Sequence, residues 1–287
     1  MTWQAYEVIL RLRSPLHSGW RKVGNLQMTR PYITGRMLWG ALTARLTRDR
    51  ADGPATDSRQ YQKIGALVHE TLAFTYFYPA LLQEDNSSYR VYWPWEESGH
   101  FRYRFVGSYV STSLIPTGNS ALEGSLHEIE YISPRTKDTG EQAYLKGYIF
   151  QHTDCPLNWR QALKKLQLGG ERGYGWGLVT LEQEPVEVVG NSLFGGEALI
   201  DRSSEERPYI TIPAEKFLLA HTKAEKNSPV QGEIEPLVGR EWRSRDSTRP
   251  YIGQFVAFNE ICYMPGSQIR TEATFQIKKY GVWEFVK

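Results

Sequence analysis

The order of its periodic segments constrains this chain most. The stretch "YEVILRL" alternates: Tyr6, Val8, Leu10 and Leu12 point one way and Glu7 and Arg11 the other, which predicts a strand with one buried face, broken only at Ile9. A polar loop follows. Then "ITGRMLWGALTARLTR" switches to helical spacing, with Thr34 as its cap and Leu38, Leu42 and Leu46 recurring every four residues. "LHEIEYIS" (126–133) and "AYLKGYIF" (143–150) predict two strands around the turn "PRTKDTGEQ". "CPLNWRQALKKLQLGG" predicts a second helix, with Pro156 in its first turn, Trp159, Leu163 and Leu166 on one face and Gly169 at its end. "WGLVTLEQEPVEVV" then resumes a strand.

Strand, helix, strand, strand, helix, strand is the ferredoxin-like (RRM-like) βαββαβ unit, an α+β fold. Its fourth strand lies beside its first. The expected layout is therefore a ferredoxin-like domain over residues 1–189, with a large insertion at about 50–125, and a second strand-rich half over 190–287 that is expected to be ferredoxin-like as well. The insertion holds the predicted helix "SRQYQKIGALVHETLA". It also holds an aromatic tract: 12 of the chain's 37 aromatic residues fall within 74–109. That tract suits a satellite core, a protein-partner surface or a base-stacking platform. In the second half "PYITIP", "FLLAHT", "QFVAFNE" and "ATFQIKKYGVWEF" predict strands, and the polar stretch 223–249 predicts a mobile loop. "TRPYI" occurs at 29–33 and again at 248–252, a weak echo of internal duplication.

Charge is uneven. The 287 residues carry a net charge of only +2, yet residues 1–50 hold nine Lys or Arg against Glu7 and Asp49, with no carboxylate from 8 to 48. Such a sector suits a polyanion or a solvated basic face. No apolar run is long enough for a membrane helix, and the N-terminus lacks the pattern of a signal peptide. Cys155 and Cys262 are too far apart for a metal spacing, so a reduced, cytoplasmic setting is expected.

The segment "LQLGGERGYGWGLVTLE" (167–183) packs five glycines into the nine residues from Gly169 to Gly177. A P-loop needs Lys-Ser/Thr after its last glycine, but Leu178 follows here. A dinucleotide fingerprint runs from strand to helix, and here the order is reversed. What remains is a tightly turning backbone with Arg172 as a charge and Tyr174 and Trp176 as rings, which suits a nucleic-acid backbone and its bases.

The segments "SPLHSG", "RPYITGRMLWGALTARL" and "GGERGYGWGLV", in this order along one fold, resemble the RAMP superfamily of CRISPR-associated proteins. Backbone subunits of that superfamily that cut target RNA carry an aspartate between first strand and first helix. Residues 14–35 contain no Asp or Glu, so the resemblance does not extend to that nuclease activity. Repeat-processing members carry the glycine loop close to the C-terminus, whereas 110 residues follow Gly177 here. The layout is more similar to the Cas-five group, the capping subunit of type III effectors, and "FTYFYPALL" with "VYWPW" resembles that group too.

The resemblance implies a non-catalytic RNA-binding subunit of a type III CRISPR ribonucleoprotein in antiviral defence. It would grip the 5′ handle of the guide RNA and contact backbone RAMP subunits and the large signalling subunit, with target RNA as a further ligand and no membrane. The expected RNA-contacting residues are His17, Ser18, Trp20, Arg21, Lys22, Arg30 and Arg36 around the first loop. The glycine loop adds Gly169, Gly170, Arg172, Gly173, Tyr174, Gly175 and Trp176, and the segment "REWRSRDSTR" adds Arg243 and Arg245. Two alternatives stay open: a metal-independent endoribonuclease that processes repeat RNA, with His17 as general base toward a ribose 2′-OH, and a protein-only scaffold. No cofactor or metal site is expected. The six histidines show no HExxH spacing, and Asp154 in "HTDC" fits a helix cap better than a ligand set.

Overall fold

A computed structural model describes residues 2–51, 55–85, 87–115, 117–118, 120–243, 253 and 255–287. The chain opens with strand β1 (Trp3–Leu12) and the hairpin β2 (Gly19–Val23) and β3 (Leu26–Thr29). Helix α1 (Gly35–Arg50) starts where its cap predicts: the Thr34 side chain accepts from the Met37 amide at 3.3 Å. Helix α2 (Ser58–Thr71), capped by Asp57, runs into β4 (Leu72–Phe74), β5 (Tyr78–Leu82) and β6 (Tyr89–Val91). Next come α3 (Ser98–Phe105), β7 (Val106–Ser111), the short pair β8 (Leu114–Ile115) and β9 (Ser120–Ala121), β10 (His127–Ile132) and β11 (Tyr144–His152). Helix α4 (Trp159–Leu163), β12 (Val179–Leu181) and β13 (Val186–Glu187) complete the first half.

The main sheet runs β12-β1-β11-β5-β6, with β13 added on β1 and β4 on β11. First, third and fourth strands of the βαββαβ unit sit as expected: β1 lies antiparallel between β11 and β12. The second strand does not. Residues 127–132 were expected beside β11, but β10 leaves the sheet and joins β2, β3 and β7 in a separate four-stranded sheet, parallel to β3. Its place is taken by β4 and β5, from the stretch expected to be an insertion. The reason is burial on two faces. Every residue from 72 to 81 is buried, and such a continuous apolar run carries no period to recognise it by. Strand β10 buries only Ile129 and Ile132.

The same reasoning explains Ile9. One face of β1 sends Val8, Leu10 and Leu12 against α1, α2 and α4, in a core with Leu38, Leu42, Leu46 and Trp159. The other face is buried too. Trp3 and Ala5 join Tyr76, Tyr78 and Phe150 against Ile210, Phe275 and Trp283 of the second half, and Ile9 packs on Ala80 and Tyr144. Strand β1 is thus covered on both sides, not on one as expected.

Helix α4 is shorter than the predicted span from Cys155. It begins at Trp159, past Pro156 and Asp154, and Asn158 at its cap makes no side-chain bond. Asp154 instead donates its amide to His152 Nδ1 at 3.2 Å.

The second half adds β14 (Ser192–Leu193), β15 (Ala198–Asp201), β16 (Tyr209–Ile212), β17 (Thr222–Lys223), β18 (Val230–Gln231), β19 (Ile234–Glu241), β20 (Phe255–Tyr263), β21 (Gln268–Ile269), β22 (Ala273–Ile277) and β23 (Trp283–Phe285). Eight of them form one sheet, ordered β14-β15-β16-β22-β23-β17-β20-β19. It is strand-rich as expected, and its described residues hold no α-helix, so the helices of a second ferredoxin-like unit are not among them. Two expectations change. "FLLAHT" is mostly a buried segment, with only Thr222 in a strand, and residues 234–241 of the polar stretch form a strand paired along β20. Among the described residues no helix is long and apolar enough to cross a membrane.

Candidate nucleic-acid interface

The glycine loop is sewn to the segment after β1. The Gly170 amide donates to the His17 carbonyl at 3.0 Å, Gly177 to the Pro15 carbonyl at 2.7 Å, and Leu178 to Ser14 Oγ at 2.9 Å. Two glycines are obligatory for this contact. At Gly169 (φ +77°) a Cβ would sit 2.3 Å from the His17 carbonyl oxygen, and at Gly177 (φ +80°) it would sit 1.8 Å from that of Leu168. Gly173 has open space around it instead, and Gly175 needs its positive φ of 79° to end a short 3₁₀ turn at Arg172–Tyr174. The loop therefore has a fixed base and an open rim. Arg172 and Tyr174 are exposed on that rim, Tyr174 by 78%. Trp176 packs inward, edge-on to Tyr131 at 5.2 Å and Tyr109 at 6.2 Å.

The first loop divides into two groups. His17 is only 7% exposed, and its Nδ1 faces the Glu130 carbonyl at 2.7 Å, a contact that requires Nδ1 to donate. Ser18 is fully buried, its amide donating to Thr29 Oγ1. Arg30 is buried and ion-paired to Glu235. His17, Ser18 and Arg30 thus hold the loop base and the junction between the halves through bonds to the protein itself. Arg21 and Lys22 are exposed on β2 and, among the described residues, have no ion-pair partner. Trp20 is half-buried, with Arg21 stacked 4.0 Å over its ring. Glu235 joins these groups: Oε2 accepts from Trp20 Nε1 at 2.7 Å, and Oε1 accepts from Arg30 and from His221 Nε2 at 2.6 Å. Burial works to raise its pKa, but these donors prevail and hold it at about 2. Burial lowers the pKa of His221, so the ring is neutral, with Nε2–H donating to Glu235 and Nδ1 accepting from the Tyr76 hydroxyl at 2.8 Å.

Beside the glycine loop, two cavities meet over the outer face of α1 and share Ala41, Ala44, Gln167 and Arg172. The first, about 430 Å³, is lined by Arg13, Arg45, Arg48, Lys164, Lys165 and Arg172, with no acidic side chain in its walls. The second, about 690 Å³, adds Arg36, Arg240, Arg243 and Lys279 around Trp39, Tyr61 and Trp242; Glu241, the acid in its walls, accepts from the Tyr280 hydroxyl. Arg45 pairs with Asp49 and Lys164 with Glu184. Among the described residues Arg13, Arg48, Lys165 and Arg172 have no ion-pair partner. Of the expected residues, Gly169, Arg172, Arg36 and Arg243 line this groove, although Arg36 is half-buried and gives Nη2 to the Arg240 carbonyl at 2.7 Å. Arg243 lies 3.4 Å over the Phe255 ring. Arg245 lies outside the described residues, as do residues 248–252 of the repeated pentapeptide.

The sequence reading missed Arg13, Arg45, Arg48, Lys164 and Lys165. A signal was present: Ala41, Ala44, Arg45 and Arg48 share one helical face at spacings of three and four, flanking the face of Leu38, Leu42 and Leu46. Among the described residues no group of three His, Cys, Asp or Glu side chains gathers as a metal site.

No protein-family model matches this chain, and no curated protein matches it. Solved structures do. One is a chain of the type III-B Cmr-beta complex bound to cognate target RNA and AMPPnP, with a TM-score of 0.50 and 11% identity, covering 91% of this chain and 84% of that one. The likeness is one of fold. A chain of the same complex bound to cognate target RNA has a TM-score of 0.49 at 10% identity, covering 91% and 85%. A chain of the apo state has a TM-score of 0.37 at 10% identity, covering 64% and 97%.

Proposed function

We propose that this chain is a non-catalytic RNA-binding subunit of a type III CRISPR ribonucleoprotein and that it grips the 5′ handle of the guide RNA. The observation that carries this reading is the groove beside the glycine loop, where four cations that have no ion-pair partner among the described residues line the first cavity, with no acid in its walls. Such a surface needs a polyanion, and a rim of exposed Arg172 and Tyr174 suits a single strand better than a duplex. The likeness in fold to a chain of the Cmr-beta complex bound to cognate target RNA supports a place in a type III assembly, in which the chain would contact backbone subunits and a large signalling subunit. His17, the base of the alternative reading, is only 7% exposed and is held at Nδ1, which leaves Nε2 as the nitrogen that reading would use.

The test is a titration of the purified chain with labelled single-stranded RNA carrying a repeat-derived 5′ end, across salt and without metal. Expected are intact RNA, preference over a scrambled sequence of equal length, and an affinity that falls steeply with salt. Metal-free cleavage that disappears in a folded His17→Ala variant overturns the non-catalytic reading. Equal affinity for scrambled RNA removes the handle and leaves general RNA binding.

A further inference from the structure

A third cavity, of about 170 Å³, lies apart from the basic groove. Its walls include Trp20 from β2, Trp95, Ser98, Phe101 and Arg102 from α3 and the segment before it, and Pro265 from the second half. Most of this lining is apolar, with the Ser98 hydroxyl and two guanidinium groups as polar features.

Both indoles are held before any ligand arrives. Trp20 gives its N–H to Glu235, a largely buried carboxylate that is itself fixed by Arg30 and His221. Trp95 stacks on the buried Trp93 at 5.1 Å with planes 19° apart and meets Tyr78 edge-on at 5.6 Å. Each ring is only half-buried despite this support. Core packing does not require a largely buried carboxylate to orient a half-exposed indole, whereas a rigid stacking site does.

We propose that this cavity receives one unpaired nucleobase of the RNA strand held at the glycine loop, between Trp20 and Trp95, with Ser98 and Arg102 at the base edge. This deepens the function proposed above and rests on it. Charge selects RNA over an apolar or proline-rich peptide. Arg21 and Lys22 are exposed beside the cavity, while the nearby acids are already engaged, Glu235 with Arg30 and Glu130 with Arg102 at 2.5 Å. Position agrees: Trp20 is three residues beyond His17, whose carbonyl binds the Gly170 amide, so at most about 10 Å of extended chain separates Trp20 from the glycine loop.

The experiment compares a single-stranded RNA with one of equal length carrying abasic ribose phosphates, on the full chain. Wild type is expected to bind the base-bearing RNA about tenfold more tightly. Trp20→Ala, and Trp20→Ala with Trp95→Ala, are expected to lose that factor on base-bearing RNA only, while Trp20→Phe, which keeps a ring face but loses the N–H bond to Glu235, is expected to fall between wild type and Trp20→Ala. Circular dichroism confirms that each variant folds. Wild-type affinity in the alanine variants, or a loss that is equal for both RNAs, overturns the cavity while leaving RNA binding intact. Alanine variants that keep RNA affinity but no longer retain a partner subunit assign the cavity to protein and also overturn it. A wild type that binds neither RNA removes the cavity together with the function it rests on.

Discussion

Gly177 and Gly173 stand four residues apart and carry opposite constraints. A Cβ on Gly177 would enter the Leu168 carbonyl at a positive φ, whereas Gly173 faces open space. Gly177→Ala is therefore expected to cost about 2–4 kcal/mol in urea unfolding and Gly173→Ala less than about 0.5 kcal/mol. Equal effects at both sites would contradict the fixed base and open rim of the loop. Sequence composition marks the loop as glycine-rich but cannot rank its glycines, because the ranking comes from how the chain closes: Leu168 folds back onto Gly177, and the segment after β1 presents the Pro15 and His17 carbonyls to the loop. His17 and Arg30 follow the same rule. Their residue types suit RNA contact, yet the fold encloses one against Glu130 and the other against Glu235.

Helix α1 shows what one element adds. Its inner face, Leu38, Leu42 and Leu46, is legible from spacing alone, and its outer face becomes a groove only because α4, the glycine loop and β19 close around it. Changing Arg13, Arg48 and Lys165 together to Ala is expected to reduce the salt slope of single-stranded RNA binding by about 2, from about 0.7 per phosphate contact. An unchanged slope places the RNA elsewhere. Strands β4 and β5 make the complementary point. Tyr76, Phe77 and Tyr78 are fully enclosed, while Tyr109 is 57% exposed, so the aromatic tract is mostly core with an exposed end. Phe77→Ala is expected to cost about 3–5 kcal/mol and Tyr109→Ala less than about 1 kcal/mol in the same unfolding assay.

At the scale of the whole molecule, the two halves are joined by a shared aromatic core and by polar contacts, among them a knot in which Glu235 of the second half holds Trp20 and Arg30 of the first. The Glu235 pKa falls from an ordinary 4.5 to about 2 in the folded chain. A depressed carboxylate stabilises the fold above its unfolded pKa, so up to about 3 kcal/mol is present above pH 4.5 and is lost as pH falls toward 2. His69 acts earlier: burial, then Arg207, lowers its pKa from 6.5 to about 4, so its contribution is present above pH 6.5 and is lost between 6.5 and 4. Urea midpoints against pH are expected to decline in both windows. Glu235→Gln is expected to flatten only the lower one and to lower stability at neutral pH, because Arg30 is left buried without its counter-charge. A wild-type profile in that variant would contradict the knot. The sequence alone determined the α+β class, the order β1, α1, β11, α4, β12, the cap at Thr34 and the pairing of glycine loop with first loop, because period, caps and glycine clusters are local signals. Only the tertiary structure decided which strand stands beside β11, which cations stay free and which indoles face a cavity. Those depend on burial over two faces and on partners far along the chain, and neither leaves a period in the sequence.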